Sequence, residues 1–143
     1  MIAIIVGSIL LLDQVTKSLA LKNLALGKSL PVIKGILHLT LVTNQGAAFG
    51  IFKGQSHLFI ISALVAAILI ISLLKKNKCR LTGISFSLIL AGALGNLIDR
   101  IYLGFVVDFI DLRFWPVFNL ADSSITIGAV LLGITVLKRK GRV

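Results

Sequence analysis

The stretch HLFIISALVAAILIISLL, residues 57–74, decides the fold. It carries no charged residue and no proline, and it runs into Lys75, Lys76 and Lys78. An uncharged apolar run of about 18 residues or more is long enough to cross a bilayer as a helix. Its apolar residues lie all round the helix, as a segment surrounded by lipid and other helices requires.

Three further runs of this kind flank it. They lie at residues 2–21, 81–100 and 119–137, each near the ~20 residues a bilayer requires. The whole chain agrees: 57% of its 143 residues are hydrophobic, and the mean hydropathy is +1.06. A soluble domain of this length is not so apolar. The expectation is an all-α membrane protein with four transmembrane helices, forming a single membrane-embedded domain over residues 1–143. The first run lacks a basic leader and holds Asp13 and Lys17, so it reads as a retained helix and not as a cleaved signal peptide.

The net charge of +10 comes from 15 Lys and Arg against 5 acids. These cations gather at the ends of the apolar runs without interleaved aromatics, which is membrane anchoring and not nucleic-acid binding. Lys75, Lys76, Lys78 and Arg80 crowd one short turn, and Lys138, Arg139, Lys140 and Arg142 crowd the tail. With four spans both groups fall on one side, which the positive-inside rule makes cytoplasmic. Both termini are then inside, and residues 22–56 and 101–118 face outward. In the first of these segments, ILHLTLVTN (36–44) alternates as a half-buried strand does, and AAFGIF (47–52) reads as a short amphipathic helix on the membrane. A small β platform on the outer face is expected.

Cys79 is the only cysteine, and His38 and His57 lack ligand spacing, so neither a metal site nor a cofactor is expected. The chain has no glutamate. Its acids are Asp13, Asp99, Asp108, Asp111 and Asp122. On this topology Asp13 lies about 18 Å along the first helix, with Lys17 one turn higher. Asp99 ends the third helix, Asp108 and Asp111 sit in the outer loop, and Asp122 opens the fourth helix. All of them fall toward one side, and ionisable groups at such depth turn inward toward one another.

Each has a structural reading. Asp13 and Lys17, four residues apart, form an ion pair within one helix. Asn96, Asp99 and Arg100 share a face and can cap and tie the third helix. Asp122 suits a helix N-terminus. Asp111 reads as a solvated loop residue, as most aspartates are. The chemical reading pairs two carboxylates. Two close aspartates share one proton, so that one serves as acid and the other activates a water. With no Ser-His-Asp grouping and no metal cluster, this is the hydrolytic chemistry the chain supports best. Spacing alone does not choose the pair; Asp108 and Asp122 are good candidates, one leaving the outer loop and one entering the last helix.

Five ordered stretches carry a resemblance: DQVTK (13–17), NQGAAF (44–49), GALGNLIDR (92–100), VVDFID (106–111) and FNLAD (118–122). Together they resemble the lipoprotein signal peptidases, or signal peptidase II, bacterial inner-membrane aspartyl peptidases with four transmembrane helices. The resemblance spans nearly the whole chain. It implies that Asp108 and Asp122 are catalytic, and that Asp13, Lys17, Asn44, Gly46, Asn96, Asp99, Arg100, Asn119 and Ala121 shape or support the site. It implies an endopeptidase that removes signal peptides from diacylglyceryl-modified prolipoproteins by cutting before the lipidated cysteine. Its partners are then that substrate and membrane lipids, and a monomer is expected.

Within that frame, Asn119 is expected to bond a dyad carboxylate or the substrate backbone. Asn96 and Arg100 are expected to aim donors at substrate carbonyls or at a carboxylate. Asn44 is read as an outer-loop residue that bonds extended peptide. Gly46, Ala47 and Ala48 are read as allowing close approach of the loop, with Phe49 dipping toward lipid. Ala91 stands where the family usually has the first of two glycines, a change small enough to keep the helix packing. Two other classes compete: a proton-coupled carrier, against which the one-sided placement of the acids speaks, and a non-catalytic assembly subunit, in which both aspartates would be dispensable.

Overall fold

A computed structural model describes residues 1–46 and 56–140, so the expected helix over 47–52 lies outside the described residues. The four apolar runs form helices α1 (Ile2–Asn23), α2 (Ser56–Lys76), α3 (Arg80–Tyr102) and α4 (Leu120–Lys140). All four are long and apolar enough to span a membrane. Their outward faces are aliphatic: Ile4 is 71% exposed on α1 and Ile68 64% on α2. Such faces belong against lipid, which lacks the water that would penalise them.

Helix α3 is the axis of the bundle. Half of its apolar window is buried within the protein, against 11% for α1 and α2. Its small residues explain this. In lipid, helices gain from close contact between backbones, and glycine, alanine and serine permit it. A β-carbon at Gly92 would overlap the Ala121 carbonyl oxygen and stand 2.5 Å from Ser124 Oγ. Ala91 is completely buried and fits without loss, consistent with its small size. Gly92→Ala should therefore force α3 and α4 apart, lowering stability by about 1–3 kcal/mol. A thermal unfolding midpoint in detergent equal to that of the native protein would refute this.

A three-stranded antiparallel sheet of β1 (Ser29–Ile33), β2 (Leu37–Asn44) and β3 (Val106–Asp111) caps one end of the bundle. It links the C-terminal ends of α1 and α3 to the N-terminal ends of α2 and α4, opposite the basic α2–α3 turn. Its inner face is apolar: Leu41, Val107 and Phe109 pack with Ala20 of α1. The alternation in 36–44 thus marks a real strand. Residues 106–111, expected as loop, are a strand as well. Gly104, at a φ of +80°, makes the sharp exit from α3 that a β-carbon would strain. The chain enters β3 at once, and Val42 pairs with Asp108 while Asn44 pairs with Val106.

Beyond β3 the chain loops out and returns. Phe118 pairs with Ile110 as an isolated bridge, with backbone bonds of 3.0 and 2.8 Å. Asp111 anchors this loop. It is 5% exposed, which corrects the expectation of a solvated residue. Thr40 Oγ1 donates to it at 2.7 Å, and the Arg113 backbone N–H donates at 2.8 Å. The Thr40 hydroxyl first, and the Arg113 donors with it, hold its carboxyl below the usual carboxylate range against the opposing effect of burial.

Candidate active site

Asn119 precedes the first residue of α4 and caps it. Its Oδ1 accepts the Asp122 backbone N–H at 2.8 Å, and Asp122 Oδ2 accepts the Asn119 backbone N–H at 3.2 Å. This reciprocal pair satisfies donors that a helix start leaves open. Asp122 is therefore a capping acid, but only one of its oxygens is used that way. The other, Oδ1, accepts from Asn96 Nδ2 at 2.8 Å.

Asn119 also reaches the second aspartate. Its Nδ2 donates to Asp108 Oδ1 at 2.7 Å, and Asn44 Nδ2 donates to Asp108 Oδ2 at 3.0 Å. Asn44, the last residue of β2, thus bonds a carboxylate, where a bond to extended peptide was expected. Asp108 and Asp122 come from β3 and α4, are bridged by Asn119, and line one cavity of about 650 Å³ at the sheet end of the bundle. Burial, and then the neighbouring charge of Asp122, raise the Asp108 carboxyl to about 7, outweighing the bonds from Asn44 and Asn119 that lower it.

Arg100 closes the cavity on the α3 side. Its guanidinium lies 4.9 Å from the Phe59 ring centroid of α2 and donates to the Gly46 carbonyl oxygen at 3.2 Å. Gly46 in turn donates its N–H to Asn44 Oδ1 at 3.0 Å. Arg100 thus holds the 44–46 segment over the site. The opposite wall is the Trp115–Phe118 stretch of the pinned loop. A second, smaller cavity of about 330 Å³ shares Trp115, Phe118, Asp122 and Thr126 with the first and is also walled by Leu112, Phe114 and Ile127.

Below the cavity lies a buried polar knot. Lys17 Nζ meets Asp13 Oδ2 at 2.9 Å and Asp99 Oδ2 at 3.0 Å, all three residues being 3% exposed or less. Asp13 Oδ1 accepts the Ala121 backbone N–H at 2.9 Å. Asp99 Oδ2 accepts the Val107 backbone N–H at 3.0 Å. Gln14 Nε2 donates to Asp99 Oδ1 at 3.0 Å and lies 3.2 Å from both Asp13 Oδ2 and the Gly95 carbonyl oxygen. The pair expected within α1 therefore ties α1 to α3, β3 and α4. Ala121 contributes its backbone N–H and a side chain small enough to sit beside Gly95.

Asp13, Lys17, Asn44, Gly46, Asn96, Asp99, Arg100, Asp108, Asn119, Ala121 and Asp122 fall in these two linked layers, whereas Ala47, Ala48 and Phe49 lie outside the described residues. Thr40, Phe59 and residues 115–117 of the wall had no sequence signal of their own, since their roles depend on partners distant in the chain. Gln14 lay unread inside DQVTK.

The chain is similar to known proteins. The family model described as signal peptidase II matches residues 5–138. A lipoprotein signal peptidase of Halothermothrix orenii is 50% identical over 133 residues, 92% of each chain. One from Caldanaerobacter subterraneus is 48% identical over 143 residues, 99% of each chain. A solved bacterial membrane enzyme, determined by the in meso method at 2.3 Å, superposes with a TM-score of 0.95 at 37% identity, covering 99% of this chain and 90% of its own.

Proposed function

The chain belongs to the signal peptidase II family, and from that premise we propose that it is an aspartic lipoprotein signal peptidase whose dyad is Asp108 and Asp122. The observation that carries this reading is the Asn119 bridge: two carboxylates from separate elements, one bonded by the Asn119 side-chain amide and the other by its backbone N–H, open on one cavity at the end of an apolar bundle.

The substrate is a prolipoprotein whose cysteine carries diacylglyceryl, and the bond cut is the one preceding that cysteine. The signal helix and the lipid stay in the bilayer while the scissile bond enters the cavity. By the positive-inside rule the basic α2–α3 turn and the basic C-terminus favour the cytoplasm for that end of the bundle, and with it the outer leaflet of the bacterial inner membrane for the sheet and the dyad. Water reaches the dyad there without crossing the membrane.

In the reaction the dyad shares one proton. Asp108, which burial raises to about 7, serves as the acid and donates a hydrogen bond to the scissile carbonyl oxygen. Asp122 takes a proton from the attacking water, whose oxygen bonds to the carbonyl carbon. That proton then passes to the leaving amide nitrogen as the C–N bond breaks, and the dyad recovers its single proton. Arg100, fixed by Gly46 and Phe59, flanks the extended peptide.

The purified native protein in liposomes should shorten a diacylglyceryl-modified prolipoprotein on a gel and leave the unmodified precursor intact. An intact modified substrate with folded native protein would defeat the reading. The proton on Asp108 also sets a pH dependence. Deprotonation above about 7 removes the acid, so kcat should fall on the alkaline side with a limb centred there. On the acid side the pair takes up its second proton, the base is lost, and the rate falls again. A kcat that stays level from neutral to alkaline pH would contradict this assignment.

A further inference from the structure

Between α1 and the two aspartates stand one ammonium and two side-chain amides, and chemistry fixes how each is turned. A lysine ammonium has three donors and no acceptor. Lys17 directs them to Asp13, Asp99 and Asn96, the last at 2.9 Å. The Asn96 atom facing Lys17 must therefore be oxygen. Its nitrogen is left on the cavity side, where it donates to Asp122. Asn119 is fixed from the other end, because its oxygen accepts the Asp122 backbone N–H. Its nitrogen then faces Asp108 and also lies 3.1 Å from the Asn96 oxygen.

The Asn96 oxygen thus accepts from Lys17 and Asn119 together, and each dyad carboxyl is met by an amide N–H. Were the Asn96 amide reversed, an ammonium would face N–H groups, and an oxygen would face the Asp122 carboxyl. Both contacts repel, and no water layer softens them at a residue as buried as Lys17. Asn96 lines the cavity, whereas Lys17 does not.

We propose that Lys17 is a positioning residue for the dyad, its ammonium deciding which end of the Asn96 amide meets Asp122. This rests on the reading of Asp108 and Asp122 as the reacting pair. Lys17 bonds neither Asp108 nor Asp122 and does not line the cavity. It acts through Asn96, so its loss should lower turnover more than substrate affinity.

The test separates that role from simple neutralisation of buried acids. Lys17→Met/Asp13→Asn removes the intrahelical pair as a neutral unit, while Asp13→Asn alone leaves Lys17 bonded to Asp99 and Asn96. Cleavage of the diacylglyceryl-modified prolipoprotein is measured in liposomes, with unfolding midpoints taken alongside. The double variant should lose about 10²-fold in kcat with KM within about twofold of native, and Asp13→Asn should lose much less. Equal loss in both variants, or native turnover in the double variant, overturns the proposal.

Asn96→Asp decides the matter should the double variant not fold. It keeps an oxygen toward Lys17, preserving the knot, but presents oxygen in place of N–H to Asp122. A similar fall in kcat at an undiminished unfolding midpoint is expected, and native turnover overturns the proposal. Asp122→Asn in the same assay keeps the two failures apart. If it cleaves like the native protein, the dyad reading itself has failed. If it is inactive while the double variant turns over normally, only the role of Lys17 has failed.

Discussion

Asp122→Asn and Asp108→Asn should each abolish signal-peptide removal, with kcat lowered by about 10⁴-fold, while the four-helix fold persists. The chemistry needs one carboxyl to give a proton and one carboxylate to take one, and an amide can do neither at neutral pH. The fold should survive for a local reason. At position 122 an amide oxygen can still accept the Asn119 backbone N–H, so α4 keeps its cap. At position 108 the side chain sits at the sheet end of the cavity, and the strand pairing of Asp108 with Val42 runs through the backbone. A gel-shift assay on the native protein and both variants, each checked by circular dichroism, measures this. Cleavage at the native rate by either folded variant would mean the dyad is misassigned, and cleavage by both would revive a non-catalytic role.

Asp13→Leu should be the most destabilising single change in the bundle, costing about 3–5 kcal/mol, the range seen when one partner of a buried charge pair is removed. Asp13 is fully buried and accepts from Lys17 and from the Ala121 backbone N–H. Leucine leaves that N–H without a partner and leaves Lys17 with one carboxylate where it had two. It also places a branched side chain against Gly95, where a β-carbon would already lie 2.5 Å from the Asp13 carboxylate. Unfolding in mixed micelles, followed by the fluorescence of Trp115, the only tryptophan, gives the measurement. A midpoint within error of native would show that the knot is not what joins α1 to α3 and α4.

The helices were legible because an apolar run of bilayer length has few alternatives; the span expected at 57–74 is α2, Ser56–Lys76. The alternation in 36–44 was legible for a similar reason. Strand β3 was not. VVDFID is buried along almost its whole length, so it lacks the two-residue period that betrays a strand with one wet face. The burial of Asp111 was hidden because its partner Thr40 lies 71 positions earlier. The Asp13–Lys17 pair could be read from its spacing within one helix, but its ties to Asp99 and to the Ala121 N–H could not. The Asn119 cap is local and its spacing to Asp122 is readable, whereas its bond to Asp108 appears only once β3 folds against α4.

The one-turn spacing of Asp13 and Lys17 bears on how the chain is made. Helix α1 is synthesised first and enters the bilayer before α3 exists. At that moment Asp99 and Asn96 are still in the ribosome's future, and a lone ammonium or carboxylate at this depth would cost several kcal/mol. The contact between Asp13 and Lys17 needs no other helix, so α1 can cross as a nearly neutral rod. When α3 arrives it completes the coordination of a lysine that already has one partner. The pair thus serves twice, as a travelling counter-ion during insertion and as the keystone of the finished bundle.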